Sequence, residues 1–462
     1  MMLLPEDILL HVFSYFQRSI PGEDSSEANE DSIRQATLAA LSRSSRLFHI
    51  LVNPLLYGTI DLRRHTSRRL RSLTKTVAED NHLAGLIRAI KTEVLDSPPK
   101  SPSYGRDELT NAPDHGYREP TKENPSPLTV TIQNLLLPPE LERSIITGAT
   151  ANSDNALMAL LLALCHNLET FQLRARPGIE RSATLQLISS ATTTPRHSPP
   201  SSNLLTSLRH VIIWHQPYSS DPIPFSALSP FLSLPSIRTF EGDLLFCTRR
   251  SMIPHYTSET GTAHPSLLQT LTLTNTFLDG PGLESLLTAC PNLQALSVHF
   301  ADLCCEELCS HAAVEQGGSF TRFARLGEVF RRRRPVTLRK LVLELDGNHF
   351  LDSRAEGDEN GVPGIGDLRC LEGLGELTLP GMALCGIRSG SESEDGRCGF
   401  LDLDGIGDRL PRGLRKLDVI LDEDRDEDDE EALSGALARL GGIWLDDRLE
   451  SICIDGVEIW PE

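Results

Sequence analysis

The chain has 462 residues, of which 39% are hydrophobic and 23% charged, and its formal net charge at pH 7 is −20. That length suits one large domain or two to three ordinary ones, and that apolar share builds a core diluted by polar loops. Acidity on this scale argues against nucleic acid as the principal partner, because phosphate binding needs clustered Lys and Arg.

The cysteines (Cys165, Cys247, Cys290, Cys304, Cys305, Cys309, Cys370, Cys385, Cys398 and Cys453) keep no disulfide-framework spacing. Free thiols and a reducing compartment, cytoplasmic or nuclear, are therefore expected. The opening "MMLLPEDILLHVF" lacks a basic lead and carries Glu6 and Asp7 where a secretory leader needs an unbroken apolar run. The longest apolar run, "ALMALLLALC" from Ala156 to Cys165, is about half of what a bilayer span requires. No membrane partner is expected.

The first predicted element is a helix in "LLPEDILLHVFSYF". Pro5 suits its first position, and Glu6 and Asp7 complement the positive end of its dipole. Ile8, Leu9, Val12, Phe13 and Phe16 make it apolar over more than half its circumference. One stripe serves a core, and the surplus asks for a second buried face, in this chain or in a partner. A polar loop, "QRSIPGEDSSEANED", follows from Gln17 to Asp31, with Asp31 or Ser32 as the cap of the next helix. Leu38, Leu41, Ser45, Phe48 and Val52 then fall on one helical face. Pro54 is expected to end that helix or begin the next turn, and "LLYGTIDL" reads as a turn followed by a short extended segment.

The combination of "LPEDILLHVFSYF", "LAALSRSSRLFHIL" and "NPLLYGTIDL" resembles the F-box as fungal proteins write it. The matching positions are Leu4, Pro5, Ile8, Leu9, Val12 and Phe13; then Leu38, Leu41, Ser42, Ser45, Arg46 and Phe48; then Pro54, Leu56 and Tyr57. The departure is a longer loop between the helices, with "GEDSSEANED" inserted. The resemblance implies docking on the Skp-type adaptor of a cullin–RING ubiquitin ligase. It also implies that Leu4, Pro5, Ile8, Leu9, Val12, Phe13, Leu38, Leu41, Ser42, Phe48, Pro54, Leu56 and Tyr57 carry that docking. The competing reading is a helical hairpin packed on the body of its own chain.

Beyond residue 62 a Leu-x-x-Leu-x-Leu unit keeps returning: "LETFQL" from Leu168, "LRHVII" from Leu208, "LQTLTL" from Leu268 and "LQALSV" from Leu293. It continues as "LRKLVL" from Leu338, "LGELTL" from Leu374, "LRKLDV" from Leu414 and "LESICI" from Leu449. Weaker copies are "IRAIKT" from Ile87 and "IRTFEG" from Ile237. Each predicts a short strand with one buried face. Helical patterns lie between copies, most clearly in "GPGLESLLTACPNLQALSV", which Gly280, Pro281 and Gly282 open and Pro291 closes. "ALMALLLALCHNLETFQL" repeats that plan. A strand–loop–helix unit at such a period buries its apolar edge only by stacking on its neighbours.

The array is similar to the irregular leucine-rich repeats of F-box proteins. The expected fold is α/β: a helical F-box over residues 1–62, then a solenoid of parallel strands with outer helices over 63–462. Disordered insertions are expected near 97–127, 189–203, 386–399 and 421–431. The alternative, a doubly wound α/β domain, is disfavoured because no phosphate-binding loop is present.

The chemistry of catalysis is not legible in the chain. "CCEELCSH" (Cys304, Cys305, Cys309, His311) lacks the second ligand pair of a zinc site and reads as a helix whose thiols pack as small hydrophobes. "RRRRP" from Arg331 reads as an exposed helix end before a strand, with nuclear import or phosphate binding as the alternative. "GVPGIGD" from Gly361 lacks a P-loop ending and reads as a turn. No catalytic residue, cofactor or metal is expected.

The resemblance implies the substrate-recognition subunit of an SCF-type ligase. Its partners would be the Skp-type adaptor and, through it, the cullin–RING ligase, together with an unidentified protein substrate. The exposed strand positions Gln172, His210, Gln294, Ser297, His299, Lys340, Glu344, Lys416 and Asp418 are the candidate substrate contacts. The alternative is an interaction scaffold acting outside ubiquitination.

Overall fold

A computed structural model describes residues 8–9, 11–12, 25–63, 67–93, 127–175, 179, 182–193, 204–215, 223–247, 265–300, 323–345, 364–386, 406–421, 435, 449–454 and 457–459. The protein is mixed α/β, and its chain divides into two compact units. The first is Met1–Arg174 with Arg181–Leu208; the second is Ala175–Glu180 with Arg209–Glu462. No division falls at residue 62, which lies inside the first unit.

The first unit holds three parallel strands: β1 (Thr59–Asp61), β2 (Ala89–Thr92) and β3 (Thr170–Ala175). Their register has no offset, so Ile60, Ile90 and Phe171 are neighbours across the sheet. The helix Asp154–Leu164 supplies the centre of this unit, with Ala156 to Ala163 all buried. Ser153 caps it by accepting the Ala156 N–H at 3.4 Å. A helix buried all round needs neighbours on every side. Ser67–Glu79, Pro139–Thr150 and Ala183–Thr193 provide them.

The second unit is a larger sheet. Its strands are β4 (His210–His215), β5 (Ile223–Pro224), β6 (Thr239–Asp243), β7 (Leu245–Cys247), β8 (Thr270–Leu278), β9 (Ala295–Phe300) and β10 (Lys340–Leu345). β11 (Glu376–Pro380), β12 (Lys416–Ile420), β13 (Ser451–Ile454) and β14 (Val457–Ile459) complete it. Neighbours run in the order β4-β6-β8-β9-β10-β11-β12-β13-β14, with β5 and β7 forming a side branch on β8. The described pairings are parallel except the last, where β14 folds back antiparallel on β13.

Every Leu-x-x-Leu-x-Leu copy coincides with a strand. Neighbours pair without offset over the first residues of each strand, and the register of β8 on β9 shifts only between Leu273 and Thr276, so equivalent residues form rows. Val211, Phe240, Leu271, Leu296, Leu341, Leu377, Leu417 and Ile452 make one fully buried row. The backbone repeats as regularly: the residue before each strand offers one carbonyl to two successive N–H groups of the next copy. The Arg238 carbonyl takes Gln269 and Thr270, and the Gln294 carbonyl takes Arg339 and Lys340. Gly242 stands where other copies have a branched side chain, and a Cβ there would overlap Leu245, which fills the place from β7. The helix Gly280–Ala289 forms where Gly280, Pro281, Gly282 and Pro291 bound it in the sequence, with Leu283, Leu286 and Leu287 buried and the Asp279 carboxylate accepting the Gly282 N–H at 2.6 Å. A Cβ on Gly282 would overlap the Cys247 carbonyl, so glycine is required there.

Several local expectations are corrected. The second helix begins at Ser25, not at Asp31 or Ser32. The segment from Ser25 has no glycine or proline to break a helix. Leu38 to Val52 is not one helix but two, Ser25–Ser44 and Arg46–Gly58, broken at Ser45. Pro54 does not end the second helix, which continues to Gly58. Proline removes one helical bond, and the packing of Leu51, Val52, Leu55 and Leu56 on both sides of it outweighs that loss. The "LLYG" expected as a turn is the last part of this helix, and the extended segment after it is β1. The insertion expected from 189 starts later, because the helix Ala183–Thr193 runs through Ser189. The segments 97–126, 194–203, 387–400 and 422–431, and the "CCEELCSH" cluster, lie outside the described residues.

Candidate protein-interaction surfaces

Two surfaces gather the residues singled out from the sequence. The first is the helical hairpin formed by Ser25–Ser44 and Arg46–Gly58. Its corner is built by polar side chains. Ser45 is extended (φ −158°, ψ 159°) and its hydroxyl accepts the Phe48 N–H at 3.1 Å, so one residue stops the first helix and caps the second. A closed ring of three bonds ties the helices together. The Ser42 hydroxyl donates to Asn53 Oδ1 at 2.9 Å, and Asn53 Nδ2 donates to His49 Nε2 at 3.0 Å. His49 Nδ1 closes the ring on Ser42 Oγ at 3.0 Å.

The interior of the hairpin is Leu38, Leu51 and Val52, with Leu9, Leu41, Phe48, Leu55 and Leu56 packed against it. Leu38 is only 3% exposed, so it holds the hairpin rather than offering a surface. Leu9, Leu41, Phe48 and Leu56 are half-buried around it, and Ser42 belongs to the polar ring. Tyr57 is half-buried and Pro54 exposed. Leu4, Pro5 and Phe13 lie outside the described residues. Ile8 (47%) and Val12 (46%) are exposed despite their size.

Three exposed apolar residues of the hairpin escaped the sequence reading: Ile33, Leu47 and Ile50, the last 67% exposed. Leu47, Ile50 and Pro54 share one side of their helix by spacing, about a quarter turn round from the stripe of Phe48, Leu51 and Leu55. The signal was present in the pattern, because "LFHILVNPLL" carries more apolar residues than one stripe can hide.

The hairpin runs directly into the sheet of its unit. The Gly58 carbonyl accepts the Arg88 N–H at 2.9 Å, and the Leu62 N–H reaches the Lys91 carbonyl at 2.7 Å. Between them Asp61 grips Arg63 with both carboxylate oxygens, at 2.6 Å in the shortest bond. Burial pushes the Asp61 carboxyl up, but the bonds from Arg63 and the charges of Arg63 and Lys91 outweigh it and hold it below the usual value.

The second surface is the outward face of the strands. Among the candidates His210, Ser297, His299, Lys340, Glu344, Lys416 and Asp418 are outward residues of their strands, and Gln294 stands just before β9. Gln172 lies on β3 in the first unit, beside Lys91 of β2. Two His–Glu pairs bridge neighbouring strands: His210 Nε2 to Glu241 at 2.9 Å, and His299 Nδ1 to Glu344 at 2.7 Å. Lys340 pairs with Glu376 at 3.1 Å. The Asp243 carboxylate accepts Thr274 Oγ1 at 3.1 Å and Asn275 Nδ2 at 2.9 Å. Glu241, Asp243, Asn275 and Glu376 were missed in the sequence; Glu241, Asp243 and Glu376 occupy outward strand positions in other copies, and Asn275 sits in the irregular stretch of β8 between Leu273 and Thr276. Asp418 Oδ1 is buried with no hydrogen-bond partner among the described residues.

The described residues do not assemble a metal site from three His, Cys, Asp or Glu side chains. Burial pushes the thiols of Cys165 and Cys290 up to about 12 and raises that of Cys247 as well, so they stay protonated at neutral pH. No described helix is long and apolar enough to cross a membrane. No protein-family model matches the sequence, and no curated protein matches it.

Proposed function

We propose that this chain is the substrate-recognition subunit of an SCF-type E3 ubiquitin ligase. In this reading residues 1–62 are an F-box, and the strand-and-helix array is an irregular leucine-rich-repeat solenoid. The hairpin docks on a Skp-type adaptor, which brings the cullin–RING ligase. The outward strand face and its loops hold a target protein. The work done is proximity: the target is placed beside a ubiquitin-loaded enzyme, and the chain makes or breaks no bond itself.

The observation that carries the reading is the apolar surplus of a hairpin whose interior is already filled. Ile33, Leu47 and Ile50 stay exposed while Leu38, Leu51 and Val52 close the hairpin core, and Ile8 and Val12 of the segment before the hairpin are exposed as well. Covering each such side chain contributes about 1.5–3 kcal/mol before ordering costs. The resemblance of Leu4, Pro5, Ile8, Leu41, Ser42, Arg46 and Tyr57 to the F-box pattern supports the same partner.

The test is co-purification with the Skp-type adaptor and cullin, comparing wild type with the pair Ile8→Asp and Ile50→Asp. Adaptor bound to wild type and lost from the variant is the expected result. A well-folded wild type that captures no adaptor would end the F-box reading. Adaptor capture without cullin or self-ubiquitination would favour a scaffold outside ubiquitination.

A further inference from the structure

We infer that the second unit carries a basic ledge, at the start of β10, β11 and β12, that takes an extended acidic segment of a partner protein. The inference rests on the recognition role proposed above and names the chemistry of what is recognised.

The starting observation is a local inversion of charge. The chain carries −20 overall, yet residues 331–340 contain Arg331, Arg332, Arg333, Arg334, Arg339 and Lys340 and no carboxylate. The first three end the helix Phe323–Arg333, where cations complement the negative end of the dipole. Arg334 then turns the chain at φ 45°, and Arg339 and Lys340 open β10.

The same pair recurs two strands away. The hexamers "LRKLVL" and "LRKLDV" place Arg339–Lys340 and Arg415–Lys416 at equivalent positions. The register between them is locked through β11: the Arg339 carbonyl takes Gly375 and Glu376, and the Gly375 carbonyl takes Arg415 and Lys416. Parallel strands lie about 4.8 Å apart, so the two Arg–Lys pairs stand about 10 Å apart with only Gly375 between the arginines. Arg339 Nη1 donates to the Gly373 carbonyl at 3.0 Å, which lays its guanidinium along that glycine turn.

Carboxylates on this edge are largely taken. Glu284 is held by Arg332 and Arg333, Asp367 by Arg369, Glu376 by Lys340, and Glu450 is 3.9 Å from Arg415. Glu328, Glu372 and Asp408 are left without an ion pair among the described residues. Against them stand Arg331, Arg334, Arg412 and Lys416, exposed and likewise without an ion pair there. Asp418, the next outward residue of β12, ends the basic run.

A surplus of unpaired arginine favours a ligand with clustered carboxylates, which guanidinium binds in a forked geometry. The size of the surplus decides the class of partner. A nucleic acid extends its charge far beyond a ledge of three strands and meets the field of a strongly acidic chain, whereas a short acidic peptide meets only the ledge.

The test uses the full chain, without adaptor, and a fluorescein-labelled octa-aspartate peptide read by anisotropy at low and at physiological salt. Wild type is expected to bind, and more weakly as salt rises. The variant Arg331→Gln, Arg334→Gln, Arg412→Gln, Lys416→Gln should bind about tenfold more weakly, while the same positions changed to Lys or Arg retain binding. Unchanged binding by the Gln variant overturns the ledge. Tighter binding of a single-stranded oligothymidylate than of octa-aspartate overturns the acidic-peptide assignment. Adaptor capture by the same Gln variant, measured separately, stays at the wild-type level, so failure of the ledge and failure of the F-box reading are told apart.

Discussion

In the second unit, the row from Val211 through Leu271, Leu296 and Leu341 to Ile452 is buried, and its exposed large apolar side chains among the described residues are Leu267 and Val336, single residues in the turns leading into β8 and β10. In the hairpin of the first unit, Leu38, Leu51 and Val52 are just as buried, yet Ile33, Leu47 and Ile50 stand in solvent, as do Ile8 and Val12 in the segment before it. Both regions are leucine-rich. The strand array spends each leucine on the neighbouring repeat. The hairpin has only two packed helices and one short apolar seam, so the same abundance overflows. An apolar surplus is a signal of a partner only where the local core is already satisfied.

The strongest way to sharpen this comparison is to cut into the array. Leu296 is fully buried between Leu271 and Leu341. Leu296→Ala should cost about 2–5 kcal/mol of stability in urea unfolding, because interlocked rows cannot collapse onto the cavity. A cost below about 1 kcal/mol would mean that the rows are not a packed core.

That array was the most legible part of the sequence. A two-residue alternation after a fixed leucine admits one reading, and the strands sit where "LQTLTL" and "LRKLVL" place them. The hairpin was less legible because helical spacing does not report breaks. Leu38, Leu41, Ser45, Phe48 and Val52 keep perfect helical steps through a corner, and the only trace of the corner is a serine able to cap. Pro54 misled for the converse reason: proline weakens a helix locally, while burial of Leu51 and Leu55 acts across it. The outward contacts were half-legible. His210, His299 and Lys340 could be placed on the exposed face, but their partners Glu241, Glu344 and Glu376 lie 31, 45 and 36 residues further along the chain, and only the register brings them together.

Two smaller effects test how the hairpin is held. Ser45→Ala removes the acceptor of the Phe48 N–H, and should cost about 1 kcal/mol in thermal or urea unfolding. Asp61→Asn removes the grip on Arg63 where the hairpin enters the sheet, and should cost up to about 1 kcal/mol at neutral pH. The sign of its pH dependence is fixed. The Asp61 carboxyl is held below its ordinary value in the folded chain, so its stabilisation is complete above that ordinary value and fades as pH falls through the folded one. Urea midpoints of wild type and Asp61→Asn should therefore converge below about pH 4. A gap that widens on acidification would refute the Arg63 assignment.

The smallest expected effect on stability separates the two regions most cleanly. Ile50 is 67% exposed, beside Leu47 and Pro54 and away from the Leu51 and Val52 interior. Ile50→Asp removes no packing, and an exposed charge on a helix surface shifts unfolding by no more than about 0.5 kcal/mol. If Ile50 served the fold, the substitution would destabilise the hairpin as Leu51→Ala does, by about 2 kcal/mol or more. If it serves a partner, stability is unchanged and adaptor capture falls by an order of magnitude or more, because a carboxylate must then be desolvated in an apolar interface. Measuring unfolding and capture on this one variant asks of a single side chain what the hairpin as a whole poses: whether apolar surface left in water belongs to another molecule.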